Sequence, residues 1–232
     1  GNFGNDELYG DSGNDTITDD SGSNILDGGS GNDNLTSRSL SGDHTLRGGY
    51  GTDTLTATGK KVTLDGGDEN DNIRAYGYID KEGSRSYLED GEATINGGSG
   101  ADNIYVDYYK TVNVEGGEGN DVFSLRNISG DVKVNAGNGN DRVGYDYIEY
   151  IKGDIEIDLG DGDDLLHSRS TEANLVIKGE GGKDNVNIYH GVKVELEGGA
   201  NDDILQAYDF LDGKLLGGTG DDQLTATYHS NY

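Results

Sequence analysis

The sequence contains no cysteine, proline, methionine or tryptophan, and only 31% of its 232 residues are hydrophobic. Without cysteine, the chain can form no disulfide, no zinc–thiolate site and no cysteine nucleophile. Basic residues are scarce as well, since 17 Lys and Arg stand against 45 Asp and Glu. Because no Lys/Arg cluster is present to attract a phosphate backbone, we expect no nucleic-acid partner. No run of about 18 apolar residues occurs, so we also expect no membrane span.

The acidic charge leaves two interpretations of the chain. A net charge of −28 with low hydrophobicity is typical of a disordered polyanion, but it also fits a fold that needs bound cations. Disorder predicts charge without positional order. Here the acidic residues recur at fixed positions between the 41 glycines, so the sequence favours a cation-dependent fold.

A repeat of the form Gly-Gly-x-Gly-x-Asp-x-U, with U apolar, runs through the chain. Clear copies occupy residues 28–35, 48–55, 97–104, 116–123 and 217–224. Their first glycines are Gly28, Gly48, Gly97, Gly116 and Gly217. The sixth position, aligned along the chain, is occupied by Asp15, Asp33, Asp53, Asp71, Asp102, Asp121, Asp141, Asp164, Asp184, Asp203 and Asp222. Successive aspartates are separated by 18 to 31 residues with a typical step of 19, which indicates a coil repeat with insertions near residues 78–92 and 147–152.

Apolar residues alternate with polar ones on both sides of each glycine turn. Leu55 and Ala57 follow one turn at a spacing of two, and Leu46 and Leu64 precede neighbouring turns. This period-two pattern predicts two short strands per coil, each with one buried face. We therefore expect an all-β fold, a right-handed parallel β-roll or β-solenoid of coils of about 19 residues, in a single domain over 1–232 with a loop insertion around 78–92.

The turn composition predicts calcium binding. Glycines allow the turn to direct backbone carbonyls at one point, and the aspartate adds carboxylate oxygens. Two stacked turns would supply the six to eight oxygens that Ca²⁺ prefers, whereas Mg²⁺ requires a tighter octahedron. Without cations, like charges about 5 Å apart along the column would repel.

The repeat resembles the hemolysin-type calcium-binding repeat of the RTX (repeats-in-toxin) family. The resemblance implies that the aligned aspartates and the turn carbonyls, including those of the five glycines above, bind several Ca²⁺ ions. It also implies a bacterial protein that leaves the cell by type I secretion and folds in extracellular calcium. RTX rolls typically repeat every nine residues and bind calcium on both edges, a spacing met here only between Asp6 and Asp15. We include Asp6 among the expected ligands and expect mainly one column of ions.

Several turns depart from the motif. Glu69, Leu159, Glu180 and Asn201 each replace a motif glycine in one turn. We expect weaker or empty calcium sites at these turns.

Residues that could indicate an enzyme or a lectin occur without a clear pattern. Tyr76, Tyr189 and Tyr208 share one outward position, five residues after the aspartate, which is typical of exposed strand residues but also of a carbohydrate-binding stripe. The four histidines occur singly, without an HExxH motif, and we expect them on the solvated surface. We therefore expect no enzymatic activity.

Three functions fit the sequence. The leading hypothesis is an extracellular structural or adhesive module at the cell surface or matrix, whose folding depends on Ca²⁺ and whose uncapped coils associate end to end into filaments. The second is an accessory calcium-binding module of a larger secreted enzyme, toxin or adhesin. The third is a polysaccharide-binding or polysaccharide-active β-solenoid. The expected partners are accordingly Ca²⁺, further copies of the chain and a cell-surface or polysaccharide ligand.

Overall fold

The computed structural model describes residues 3–81, 84–148, 150–169 and 173–228, and within these ranges it consists of strands and turns without a helix. The strands in chain order are β1 (Glu7–Tyr9), β2 (Thr16–Asp19), β3 (Ile25–Ser30), β4 (Asn34–Arg38), β5 (Asp43–Tyr50), β6 (Thr54–Thr58), β7 (Lys61–Asp68), β8 (Asn72–Tyr76), β9 (Tyr78–Lys81), β10 (Ser84–Tyr87), β11 (Glu92–Ser99), β12 (Asn103–Asp107), β13 (Thr111–Glu118), β14 (Val122–Arg126), β15 (Val132–Asn138), β16 (Arg142–Ile148), β17 (Ile155–Asp158), β18 (Leu165–Ser168), β19 (Asn174–Gly181), β20 (Asn185–Ala200), β21 (Ile204–Thr219) and β22 (Gln223–Tyr228).

The strands form two parallel ladders. The first ladder follows the glycine turns and contains β2, β4, β6, β8, β12, β14, β16, β18, the first parts of β20 and β21, and β22. The second ladder precedes the turns and contains β1, β3, β5, β7, β11, β13, β15, β17, β19 and the later parts of β20 and β21. Each pairing joins one coil to the next, so the predicted parallel β-solenoid of coils of about 19 residues is confirmed.

The core lies between the two ladders. In the second ladder Leu46 pairs with Leu26 and Leu64, and in the first ladder Leu55 pairs with Ile73. All five side chains are at most 1% exposed. The alternating apolar pattern of the sequence therefore identifies the buried face, and each such side chain contributes roughly 1.5–3 kcal/mol by its burial.

Two irregularities interrupt the stack. Between β8 and β11 the strands β9 and β10 form an antiparallel hairpin in which Tyr78 pairs with Tyr87. This hairpin lies in the segment 78–92, where the sequence predicts the larger insertion. Between Val143 and Ile148 the first ladder shifts register, next to the smaller predicted insertion at 147–152, of which residue 149 lies outside the described residues.

The turns between the ladders form two edges of the solenoid. We call the edge with the turns from Asp15 to Asp222 the aspartate edge. The other edge, which includes Asn24 and His44, is the opposite edge. The β9–β10 hairpin emerges at the opposite edge, since it follows the end of β8.

Candidate metal centre

The aspartates of the repeat form one continuous hydrogen-bonded column along the aspartate edge. The backbone N–H of each aspartate donates to Oδ1 of the aspartate in the next coil, for example from Asp102 to Asp121 at 2.8 Å and from Asp121 to Asp141 at 2.7 Å. The column contains Asp15, Asp33, Asp53, Asp71, Asp102, Asp121, Asp141, Asp164, Asp184, Asp203 and Asp222. The structure thus brings together all eleven aspartates that the spacing aligned.

The second carboxylate oxygen of the column aspartates is buried without a hydrogen-bond partner. This holds for Oδ2 of Asp15, Asp33, Asp53, Asp71, Asp102, Asp121, Asp141, Asp164, Asp184 and Asp203. An unpaired buried acceptor is unfavourable by about 1–3 kcal/mol, and more when it carries a charge. A cation beside these oxygens would remove this penalty along the whole edge.

The electrostatics of the column favour a bound cation or a proton. Burial raises the pKa of Asp71, Asp121, Asp164 and Asp184 to about 7, and neighbouring column carboxylates add to the shift. Burial likewise raises the pKa of Asp53 and of Asp102 to about 6. Carboxyl groups with such pKa values lose protons near neutral pH only at a free-energy cost that a divalent cation can offset.

The first glycine of each motif leaves space between two oxygens. A β-carbon on Gly48 would collide with Oδ2 of Asp53 and with the carbonyl oxygen of Gly66 in the next coil. The same arrangement is found at Gly10, Gly28, Gly48, Gly66, Gly97, Gly116, Gly179 and Gly198. At Gly217 the β-carbon would meet Asp222, which belongs to the last aligned turn. An unpaired carboxylate oxygen facing a carbonyl oxygen is the donor chemistry that Ca²⁺ prefers, so the residues present fit this ion.

Two coils lack this space. The position of the first glycine is occupied by Ala136 before Asp141 and by Leu159 before Asp164, and both residues are fully buried. The β-carbons of Ala136 and Leu159 occupy the position that is open between the two oxygens in the other coils. The sequence prediction of a weaker site at Leu159 did not include Ala136, which lies five residues before Asp141 in the position of a first glycine.

The other substituted turns keep the backbone conformation of the motif. The second and fourth positions have positive φ, as at Gly49 (109°) and Gly51 (117°). Glu69 (74°), Glu180 (69°) and Asn201 (79°) adopt the same sign of φ in place of glycine. Non-glycine residues are strained there, so these turns are less favourable but preserve the stack.

A second polar ladder runs beside the column and was not predicted from the sequence. The residue just before the aspartate accepts a backbone N–H from the following coil, as when Asn140 N–H donates to Asn120 Oδ1 at 2.6 Å. Similar bonds involve Oδ1 of Asn14, Asn32, Asn70, Asn140, Asp163 and Asp202. The sequence signal for this second ladder is the recurrence of Asn or Asp just before the column aspartate. This ladder joins the turns without using the column carboxylates.

Asp6 lies on the opposite edge and not in the column. Its backbone N–H donates to Asn24 Oδ1 at 3.1 Å, and Asn24 N–H donates to His44 Nδ1 at 3.3 Å. Asp6 Oδ2 is buried without a hydrogen-bond partner, like the column oxygens. In the next two coils, however, an amide and an imidazole occupy the equivalent position.

The expectation that the histidines lie on the solvated surface is wrong for His44. Its side chain is 2% exposed, and burial lowers its pKa. Nδ1 accepts from Asn24 and contacts Ser37 Oγ at 2.9 Å, while Nε2 lies 3.3 Å from the carbonyl oxygen of Ser39. His44 is therefore a structural residue of the opposite edge, whereas His190 is exposed and pairs with Asp209, and His229 lies outside the described residues.

The outward tyrosines do not form one stripe. Tyr189 and Tyr208 stack in adjacent coils with ring centroids 5.3 Å apart and planes inclined by 16°. Tyr76 instead contacts Tyr78 of the hairpin and Tyr105 of the next coil.

No ready-made cluster of side-chain ligands is present in the described residues. Within these ranges, no group of three or more His, Cys, Asp or Glu side chains converges on a common point. A metal on the aspartate edge would accordingly take many of its ligands from backbone carbonyls. The described ranges also contain no helix long and apolar enough to cross a membrane.

Comparison with known families supports calcium as this metal. The model of the RTX calcium-binding nonapeptide repeat matches residues 1–35, 47–77 and 89–107 in four copies. No curated protein and no solved structure matched the chain. Fold and repeats together define a calcium-binding β-roll. Its residues 1–107 carry repeats of the RTX family, and the same column and ladders continue from there to β22.

Proposed function

We propose that this chain is an extracellular, non-enzymatic β-roll that binds Ca²⁺ between successive turns of its aspartate edge and depends on the ion to fold. The observation that carries the proposal is the row of ten buried, unpartnered Oδ2 atoms, eight of which share the space at a first glycine with a carbonyl oxygen of the next coil. Bound Ca²⁺ would supply the positive charge that these oxygens lack. The hydrogen bonds from backbone N–H groups to Oδ1 along the column would hold the carboxylates in place.

The glycine spaces indicate which gaps would bind. Eight first glycines leave room between an Oδ2 and a carbonyl, at Gly10, Gly28, Gly48, Gly66, Gly97, Gly116, Gly179 and Gly198. The gaps that begin at Ala136 and Leu159 are filled by side-chain carbon. We therefore propose calcium in eight gaps, six before Ala136 and two after Leu159. The carboxylate oxygens in these gaps are Oδ2 of Asp15, Asp33, Asp53, Asp71, Asp102, Asp121, Asp184 and Asp203.

Removal of calcium tests the proposal directly. In excess chelator near neutral pH, the far-UV circular dichroism spectrum should lose its β signature and regain it when Ca²⁺, but not Mg²⁺, is added back. We expect midpoints of about 10⁻⁴ to 10⁻³ M, as for extracellular calcium modules. A β spectrum that persists in chelator near neutral pH would contradict calcium-dependent folding.

End-to-end contact between copies is a finer proposal. Among the described residues, β22 pairs with β21 on one side only, and its Leu224 is 47% exposed. A strand edge with exposed apolar residues can pair with another chain. Light scattering and electron microscopy in millimolar Ca²⁺ should then detect filaments. A monodisperse monomer would favour the alternative of an accessory module within a larger secreted protein, where further sequence would cover this edge.

A further inference from the structure

The β9–β10 hairpin and the outer face of the first ladder enclose a cleft that the calcium column does not use. The cleft has a volume of about 460 Å³, within the usual range of small-molecule sites. Its wall includes Asp20, Arg38, Thr56, Tyr76, Tyr78 and Asp80. The hairpin supplies Tyr78 and Asp80, whereas β4, β6 and β8 supply Arg38, Thr56 and Tyr76.

A cluster of tyrosines holds the hairpin side of the cleft. The ring of Tyr78 lies 5.6 Å from Tyr76, 6.1 Å from Tyr87 and 5.4 Å from Tyr108, measured between centroids. Arg85 lies over the same ring, 4.7 Å from its centroid. Edge-to-face contacts of this kind fix ring orientations, so Tyr76 and Tyr78 present ordered aromatic surface to the cleft.

The polar groups of the cleft remain available to a ligand. The hydroxyls of Tyr76 and Tyr78 form no hydrogen bond within the part of the chain that the structure describes, and the exposed Arg38 guanidinium has neither an ion pair nor a hydrogen bond there. Asp80 pairs with Arg85 at 3.0 Å. The charged side chains that line the cleft are Asp20, Asp80 and Arg38. When Arg85, the ion-pair partner of Asp80, is counted with them, the charges sum to zero.

We propose that this cleft binds a short segment of a neutral glycan. The apolar face of a pyranose would lie against the tyrosine rings, and its hydroxyls would bond to Arg38, Asp20 and the tyrosine hydroxyls. Charge decides between neutral and acidic sugars. The cleft is balanced while the chain as a whole carries −28, or −12 with eight Ca²⁺ bound, so an anionic polysaccharide gains nothing locally and is repelled over a longer range.

The stacked pair Tyr189 and Tyr208 provides a matched control. Its two rings are nearly parallel with centroids 5.3 Å apart, they lie on the same ladder but far along the chain from the hairpin, and neither residue lines the cleft. Tyr189 is 41% exposed, so its removal deletes an exposed aromatic ring without affecting the cleft.

Affinity electrophoresis of the full chain in millimolar Ca²⁺, through gels containing mannan, xylan, hydroxyethyl cellulose, soluble starch or β-glucan, tests the proposal. At least one of these neutral polysaccharides should retard the protein. Titration with the matching oligosaccharide, followed by tyrosine fluorescence, should then give an affinity that falls about tenfold in Tyr78→Ala and in Arg38→Gln. Tyr189→Ala should bind like the wild type.

The two cleft variants separate loss of binding from loss of fold. Tyr78→Ala removes a ring that supports the hairpin, whereas Arg38 lies on β4 outside the hairpin, so Arg38→Gln leaves the tyrosine cluster intact. Retention of full affinity in Arg38→Gln would overturn the proposal. So would an equal loss in Tyr189→Ala, binding only to alginate or polygalacturonate, or the failure of all five neutral polysaccharides to retard the protein.

Discussion

Replacement of Asp121 by asparagine should change the stability of the roll in opposite directions with and without calcium. Asp121 is fully buried, its Oδ1 accepts the N–H of Asp102 at 2.8 Å, and its Oδ2 has no partner. An asparagine can keep the Oδ1 bond, as Asn24 does on the opposite edge. Its amide would replace Oδ2 beside the carbonyl oxygen of Ala136, to which an N–H can donate.

The magnitude follows from the pKa of Asp121. Burial raises that pKa from 3.8 to about 7. Because the folded-state pKa lies above the unfolded value, the carboxyl destabilises the calcium-free roll progressively as the pH rises from about 4 to 7, and fully above that. At about 1.4 kcal/mol per pH unit, this shift sets an upper limit of about 4 kcal/mol on the destabilisation.

In chelator, the pH at which the β spectrum is lost should therefore be higher for Asp121→Asn than for the wild type. In millimolar Ca²⁺ near neutral pH the variant should instead unfold at lower urea and bind less calcium, because a ligand carboxylate is missing. Asp131→Asn is the control, since Asp131 is exposed on the opposite edge and its Oδ1 likewise accepts a backbone N–H, from Asp154 at 3.0 Å. The reasoning is refuted if Asp121→Asn shifts stability in the same direction under both conditions, or if Asp131→Asn has equal effects.

Three further predictions concern the same edge. The calcium-free wild type should keep a β spectrum at about pH 5 and lose it towards neutral pH, since the raised pKa values of Asp71, Asp164 and Asp184 leave these groups protonated only at the lower pH, and circular dichroism across this range checks it. Gly48→Ala should remove about one bound Ca²⁺ per chain and Ala136→Gly should add about one, as measured by equilibrium dialysis; unchanged stoichiometry in both would disprove the role of the first-glycine space. Asn120→Ala should lower the free energy of unfolding in Ca²⁺ by about 1 kcal/mol in a urea titration while the bound calcium stays constant, because it removes only the bond from Asn140 N–H.

The regular part of this molecule could be predicted because one spacing determines it. The separations between the column aspartates are the same in the sequence and in the hydrogen-bonded ladder, including the step of 31 residues from Asp71 to Asp102. The alternation that marked Leu46 and Leu55 also identified the buried faces. Both signals repeat in each coil, so a local error could not displace the whole pattern.

The remaining features depend on single residues or on contacts distant in sequence. Asp6 fits the nine-residue spacing, but nine residues are half a coil and place it on the opposite edge. His44 is buried because its Nδ1 accepts the N–H of Asn24, twenty residues away. The cleft depends on how the hairpin turns back over β4 and β6, which the length of an insertion does not determine.

Ala136 and Leu159 divide the row of proposed calcium ions into two parts, although the hydrogen bonds along the same edge are continuous. The hydrogen bonds to Oδ1 continue through these coils without a break, but the proposed row of ions stops there and resumes at Gly179. Falling calcium would thus act on two blocks of unequal size. The shorter block has only two ion sites, so bound calcium stabilises it less. It should therefore unfold first, while the longer block remains folded.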